Sequence, residues 1–310
     1  GWRTIFLINV PIGLAGLVLL RKAVPESRAE NTSRVDVVGL ALVTAGLLAL
    51  VLPLIQGNQA GWPAWTWAAF GAAAVLLALF ALSQRRLAAR GGAPLLDPAI
   101  FRTAHPGSGN LRSGLGTQLA FWCGQASFFL VFALYLQDGR GLHPLDAALV
   151  FTVLAAFYLA VSLKAPAWTL RFGRNLVFFG ALAVAAGDVL LWLFVHHYGN
   201  GGPLSLIVPG LALVGAGQGL CITPLTTTVM SYSTPQQAGA ISGALSTMQQ
   251  VGNALGVAIT GAVFYGAIGG GYAEAFSRSL LELTGLLLIV ALMARFLPGR
   301  QVARSATKAA

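Results

Sequence analysis

Long apolar stretches alternate with short polar loops along the chain. Nine apolar segments can be delimited, at approximately residues 4–20, 35–55, 65–83, 116–136, 146–165, 175–195, 204–230, 239–266 and 280–297. Most are close to the roughly 20 residues that an α-helix needs to cross a bilayer. The pattern therefore predicts an all-α integral membrane protein with about nine transmembrane helices.

The composition supports this fold class. Hydrophobic residues make up 56% of the 310 residues and charged residues only 9%, whereas a soluble domain carries about 25% charged residues. The two cysteines, Cys123 and Cys221, both lie inside apolar segments, which predicts small core residues and no disulfide framework. The sequence shows no phosphate-binding loop, Ser/His/Asp set or metal-ligand spacing, so we expect neither an enzyme nor a bound cofactor or metal.

The positive charges are distributed very unevenly between the two sets of alternating loops. If the first loop is cytoplasmic, only Arg3, Arg140 and Arg278 of the 19 Lys and Arg residues fall on the outer side. Cytoplasmic loops of membrane proteins are enriched in Lys and Arg. The distribution predicts a multi-pass plasma-membrane protein with the first residue outside and the C-terminus cytoplasmic. It also explains the net charge of +10 without nucleic-acid binding.

The stretch Ala238–Phe264, which covers most of the eighth apolar segment, is the most informative part of the chain. Small residues recur four apart in two rows, and Gln249, Gln250 and Asn253 place amides at its centre. Small residues allow close helix packing in lipid, where apolar side chains gain little from burial. The amides need partners or water. Two interpretations stay open from the residues alone: packing contacts between helices, or one wall of a polar transport cavity.

Three motifs resemble one transporter family. The pattern A-G-x-x-S-G…T-x-x-Q-x-G…G resembles the penultimate helix of the fourteen-helix drug:proton antiporters (EmrB/QacA type) of the major facilitator superfamily. Its residues here are Ala238, Gly239, Ser242, Gly243, Thr247, Gln250, Gly252 and Gly256. WRTIFLINVPIG (2–13) resembles the family's sixth helix, and LVGAGQGLCITPL (213–225) resembles the fourth helix of its second bundle. The G-x-G-x-G motif in the latter, Gly215, Gly217 and Gly219, predicts close helix packing. Many members carry Arg where this chain has Gln249.

The resemblance implies a domain organisation. Residues 1–22 would be the last helix of a first bundle whose other helices precede this chain. Residues 23–115 would form two linker helices and a cytoplasmic loop, with an amphipathic segment at 94–102. Residues 116–298 would form a complete six-helix second bundle, and 299–310 a cytoplasmic tail.

The resemblance also implies a function. It points to proton-coupled efflux of small amphiphilic or multidrug substrates by alternating access, with protons, substrate, the bilayer and the first bundle of the same protein as partners. The alternatives are a membrane remnant or scaffold that does not transport and, less favoured, a polytopic membrane enzyme.

Candidate substrate contacts come from three segments. Gln118, Phe121, Trp122 and Gln125 recur at spacings of three and four, together with Phe128 and Phe129, and so share one helix face. Amides mixed with aromatic rings suit a greasy, often cationic ligand, although a packed core would show the same spacing. Gln218, Gln249, Gln250 and Asn253 complete the substrate-cavity candidates.

Asp188 lies well inside the sixth apolar segment and is the proton-coupling candidate. A charged carboxylate at this depth costs roughly 2.5–3.5 kcal/mol on insertion scales, so such residues mark ion or proton sites by default. The resemblance argues for the alternative, an acid that is neutral or hydrogen-bonded within its helix, because the third helix of a bundle usually packs at the periphery. The nearby Arg171-Phe172-Gly173-Arg174 turn resembles the family's cytoplasmic R-x-G-R turn and predicts cations that cap helix C-termini.

Overall fold

The described part of the chain is helical and contains no β-strand. The computed structural model describes residues 7, 9–23, 36–57, 61–92, 94–95, 108–230 and 238–297. The helices are α1 (Asn9–Ala23), α2 (Val37–Gln56), α3 (Ala64–Ala89), α4 (Ser108–Leu134), α5 (Pro144–Ser162), α6 (Ala165–Phe172), α7 (Arg174–Tyr198), α8 (Val208–Met230), α9 (Ala238–Ala267) and α10 (Tyr272–Ala294). Most of the predicted segment at 94–102 and the tail at 299–310 lie outside the described residues.

Seven of these helices, α3–α5 and α7–α10, are long and apolar enough to cross a membrane. The described apolar stretches of α1 and α2, Asn9–Arg21 and Val37–Pro53, are shorter. The chain is therefore a multi-pass membrane protein. Residues 1–34, which include α1, form a compact unit separate from residues 35–310, and the following description concerns the second unit.

The last helix begins earlier than the hydropathy pattern predicts. α10 starts at Tyr272 rather than near residue 280, because Glu274 and Arg278 are accommodated within its first two turns. Arg278 Nε donates to Glu274 Oε1 at 2.7 Å, one helical turn away. Such an i,i+4 pair keeps both charges on the exposed helix surface. Glu282 consequently lies at the middle of the helix and not near its outer end.

The six long helices of the C-terminal region form two closely packed groups. α4 packs against α9, and α7 packs against α8, which also contacts α5. α10 lies against both α4 and α7, whereas α4 and α8 touch each other over few residues. The loose junction between α4 on one side and α7 and α8 on the other is called the α4/α8 seam below. α2 packs against α3 and also contacts α9.

Glycines set the close approach of α8 to its two neighbours. A Cβ added at Gly217 would lie 2.6 Å from the carbonyl oxygen of Gly180 on α7. On the opposite side, a Cβ at Gly219 would lie 3.0 Å from the carbonyl oxygen of Tyr158 on α5, and one at Gly215 would fall on that of Leu154. The close helix packing predicted for this G-x-G-x-G motif is confirmed.

Side-chain hydrogen bonds to backbone carbonyl oxygens hold the ends of the helices together. Arg174 Nη1 donates to the carbonyl oxygens of Arg295 and Leu297, at 3.1 and 3.0 Å, and so caps the end of α10. At the opposite end of α7, Tyr135 donates its hydroxyl to the carbonyl oxygen of Gly199 at 2.7 Å. The prediction that the turn at 171–174 supplies a capping cation is thereby confirmed for Arg174.

Candidate functional site

The aromatic and amide side chains on the predicted face of α4 differ in their burial and in the helices that they contact. Gln118 and Phe121 are buried, and the Oε1 atom of Gln118 has no hydrogen-bond partner among the described residues. Trp122 is partly buried beside Gly252 of α9, whereas Gln125 borders an internal cavity. Phe129 stacks on Phe151 of α5 with ring centroids 5.5 Å apart. This face therefore contacts both sides of the seam.

The internal cavity lies at the α4/α8 seam and contains the proton-coupling candidate. Its volume is about 10 Å³, which is room for about one water molecule, and its walls come from four helices. The lining residues are Phe121, Gly124, Gln125 and Phe128 of α4, Val184 and Asp188 of α7, Gln218 of α8, and Leu283 and Leu287 of α10. The cavity is thus apolar except for one carboxyl group and two amides, each from a different helix.

Asp188 is 1% exposed and points into this cavity. Its Oδ1 atom has no hydrogen-bond partner among the described residues. The expectation that the third helix lies at the periphery holds for one face of α7 only, since Phe179, Val189 and Leu193 are exposed on it. The carboxyl group of Asp188 is on the opposite face, towards α4 and α8, because Asp188 follows Gly187, which packs against α8.

The position of Asp188 is set by the tight contact between α7 and α8. A Cβ added at Gly187 would lie 2.7 Å from the carbonyl oxygen of Gly210, so the two backbones meet here with no room for a side chain between them. Gln218 of α8 is 3% exposed and faces the same cavity. The sequence motif that brings the two helices together therefore also brings Asp188 and Gln218 together.

The first half of α9 carries an exposed strip of small and polar residues. Gly239, Ser242, Gly243, Ser246 and Gln250 are all exposed and recur at spacings of three and four. We refer to these five residues as the α9 strip. A Cβ at Gly239 or Gly243 would meet nothing within 4 Å, whereas one at Gly252 would lie 2.7 Å from the carbonyl oxygen of Leu119. The two rows of small residues therefore differ: one packs on α4 and the other is open.

The remaining amide candidates lie at the edge of the α9 strip. Gln249 and Asn253 are partly buried, and the Oδ1 atom of Asn253 has no hydrogen-bond partner among the described residues. The exposed positions of the second half of α9 include Ile259 and Tyr265. The composition of the exposed surface thus changes from polar to apolar along one helix. A polar surface of this kind is costly against lipid tails and indicates water or a polar partner.

The family assignment comes from comparison with known proteins. The sequence profile of the Major Facilitator Superfamily matches residues 1–257. The chain belongs to the major facilitator superfamily. Membership in this family, together with relatives named as transporters, identifies the chain as transporter sequence and not as an enzyme.

Several curated relatives of this facilitator chain are named as exporters of antibiotics. The probable actinorhodin transporter of Streptomyces coelicolor is 36% identical over 87% of this chain and 46% of its own length. The cephamycin export protein CmcT of Amycolatopsis lactamdurans is 32% identical over 96% of this chain and 60% of its own. The multidrug resistance protein Stp of Mycobacterium tuberculosis is 30% identical over 85% and 47%. The chain spans about half the length of most of these relatives.

Two further polar residues inside the bundle, Glu282 and Thr260, belong neither to the predicted site nor to the lining of the internal cavity. Glu282 of α10 is partly buried, and its Oε2 atom has no hydrogen-bond partner among the described residues. Thr260 of α9 is fully buried, and its side chain is the one that interacts with Glu282. The hydropathy pattern predicts a span at 280–297, which puts Glu282 near a membrane surface instead of inside the bundle. Recognising the Glu274–Arg278 pair as helical would have moved it to the middle of the helix.

Proposed function

We propose that the protein exports small amphiphilic compounds across the plasma membrane in exchange for protons, by alternating access. The exposed α9 strip carries this proposal, since it presents serines and an amide where a lipid-facing helix would present apolar residues. In the proposal the strip, the neighbouring Gln249 and Asn253, and Gln118, Phe121, Trp122 and Gln125 of α4 form one wall of the substrate route. A first bundle of the same protein forms the opposite wall.

The names of the relatives support the substrate class. Proteins named as a probable actinorhodin transporter, a cephamycin export protein and a multidrug resistance protein share 30–36% identity with this chain. Aromatic rings next to unpaired amides favour molecules with an apolar body and a few polar groups, through stacking and specific hydrogen bonds. A scaffold that does not transport would have no need for unpaired amides, which are costly in a membrane.

The orientation follows from the distribution of positive charges. In the proposal the end of the bundle that contains Arg174 and Arg295 faces the cytoplasm, and the end that contains Arg140 faces outwards. The contacts of Arg174 with the end of α10 place two positively charged residues at the same end. This agrees with the rule that Lys and Arg concentrate on the cytoplasmic side.

Transport by everted membrane vesicles tests the proposal. Vesicles from cells that express the protein are given an acidic interior, and the accumulation of two fluorescent amphiphiles, ethidium and an anthracycline, is followed. A gradient of one pH unit corresponds to about 1.4 kcal/mol, so the electroneutral exchange of one proton for one ethidium cation sustains at most about tenfold accumulation. We expect accumulation that collapses when nigericin removes the pH gradient. Vesicles without the protein are the control, and accumulation equal to theirs for both probes would contradict the proposal.

A further inference from the structure

The polar lining of the α4/α8 seam consists of three side chains from three helices. Asp188, Gln125 and Gln218 are the only polar side chains that line the internal cavity within the described residues. We call these three residues the Asp188 cluster. We propose that Asp188 is the carboxyl group that binds and releases the coupled proton, and that Gln125 and Gln218 position this carboxyl group across the seam. This inference rests on the proposed proton-driven export.

The first argument is the lack of a fixed partner. A buried acid with a purely structural role is normally hydrogen-bonded or ion-paired, because an unsatisfied polar atom destabilises the fold. Asp188 is 1% exposed, yet its Oδ1 atom has no partner among the described residues. An orphaned buried polar atom that borders a cavity indicates a transient ligand. A proton, carried to the site by a water molecule, fits a cavity that leaves little open space.

The second argument is the absence of a competing charge at the cavity in the part of the chain that the structure describes. Cys221 of α8 does not line the cavity and donates its thiol to the carbonyl oxygen of Val177, at 3.5 Å. Glu282 of α10 and Cys123 of α4 do not line it either. Asp188 is therefore the one titratable group at this position within the described lining.

Two described cations, Arg295 and Arg140, lie over aromatic rings near the two ends of α7. Arg295 lies over the ring of Phe178, 4.3 Å from its centroid, and Arg140 lies over that of Phe194 at 5.6 Å. These two rings are ten and six residues from Asp188, which corresponds to roughly 15 and 9 Å along a helix. Neither guanidinium group can form an ion pair with the carboxylate in this conformation, so a proton is the available counter-charge.

The third argument is the position of the cluster between the two packed groups of helices. Gly187 and Gly217 fix α7 to α8, and Gly252 fixes α4 to α9. Asp188 and Gln218 therefore belong to one group and Gln125 to the other. A protonated carboxyl group can donate a hydrogen bond to an amide oxygen, whereas a carboxylate can only accept. Protonation thus changes the hydrogen bonds available across the seam, which is the requirement for a proton to favour one of two conformations.

Asp188→Asn separates this inference from the proposed function. Two activities are measured in vesicles: accumulation driven by a pH gradient, and exchange of labelled for unlabelled ethidium at equal pH on both sides, which needs binding and alternating access but no net proton movement. We expect Asp188→Asn to retain exchange within about twofold of wild type and to lose gradient-driven accumulation. Its exchange should also be independent of pH, because the variant carries no proton at this site.

The matched control is Asp146→Asn. Asp146 is an exposed carboxylate in the first turn of α5 and lies outside the proposed route, so this variant should keep both activities and the pH profile of wild type. Asp188→Glu, which keeps an ionisable group, should restore a pH-dependent profile. Glu282→Gln tests the partly buried carboxyl group of α10, and we expect it to keep gradient-driven accumulation.

A second readout uses the wild-type protein and does not depend on the folding of any variant. Dicyclohexylcarbodiimide modifies protonated carboxyl groups in apolar surroundings, and peptide mass spectrometry identifies the modified residue. We expect modification of Asp188 that decreases at alkaline pH and decreases when ethidium is bound. Modification of Glu282 with none at Asp188 would overturn the inference.

The outcomes are distinguishable. Wild-type vesicles without gradient-driven accumulation would refute the proposed function itself. Wild-type accumulation that persists unchanged in Asp188→Asn would refute only the role of Asp188. Loss of exchange as well as accumulation in a folded Asp188→Asn would assign the residue to substrate binding and would also overturn the proton role.

Discussion

Gly256→Val is expected to abolish most of the folded protein. A side chain at this position of α9 would fall on the carbonyl oxygen of Cys123 in α4. A backbone atom cannot move away as the end of a flexible side chain can, so the two helices must separate. Overpacking of a tight interface costs 1–3 kcal/mol and sometimes more, and we expect about 3 kcal/mol or more here. The measurement is the yield and the unfolding temperature of the detergent-solubilised protein.

Gly243→Val is the matched control for this prediction. It makes the same substitution in the same helix, but a Cβ at Gly243 meets nothing within 4 Å. The change in helix propensity is therefore equal and the steric clash is absent. We expect near wild-type yield and unfolding temperature. Equal destabilisation by both substitutions would show that close packing of α9 on α4 is not what stabilises this interface.

Phe132→Ala is expected to cost 3–5 kcal/mol of stability, the usual range for a buried aromatic ring. Phe132 is fully buried, and its ring stacks on those of Phe128 and Phe276 with centroids 5.4 and 5.6 Å away. It also meets the edge of Phe151 at 5.1 Å, so one ring joins α4, α5 and α10. Denaturation in mixed micelles measures the loss.

Phe179→Ala is the corresponding control on the outer face of α7. Phe179 is 59% exposed, and its removal exchanges ring–lipid contacts for other lipid contacts. Since lipid tails are as apolar as the side chain, the stability of a membrane bundle comes from packing rather than from transfer out of water. We expect less than about 1 kcal/mol for this variant. A cost close to that of Phe132→Ala would contradict this physical account.

Those features of the fold that depend on local composition alone could be predicted from the sequence. Hydropathy gave the long helices, and the glycines of the G-x-G-x-G motif indicated close packing, because both depend on local composition. The start of α10 could not be read in the same way. Hydropathy counts Glu274 and Arg278 as polar residues that end a span, whereas the helix pairs them at 2.7 Å.

The site was less accessible to sequence reasoning. The amides and aromatic residues of α4, α8 and α9 were recognisable as candidates, but their surroundings depend on the rotation of each helix. Asp188 illustrates this, because its helix has one lipid-facing side and one side locked against α8 by Gly187. Gly243 and Gly252 look equivalent in the sequence, yet the first is open and the second packs on α4. Only the packing of neighbouring helices separates such cases.

Cysteine labelling tests most directly whether the α9 strip lies on an aqueous route. Maleimides react with the thiolate form, which requires water, so a hydrophilic maleimide distinguishes a wet surface from one that faces lipid. Gln250→Cys is compared with Ile259→Cys, which lies in the same helix and is also exposed, at 53%. Cys123 and Cys221 are buried, and the wild-type protein controls for their labelling.

The account predicts rapid labelling of Gln250→Cys that slows when ethidium is added, and no labelling of Ile259→Cys. Failure of Gln250→Cys to react faster than Ile259→Cys would mean that the strip is covered by another helix or by lipid. That result would contradict the placement of the transport route along α9.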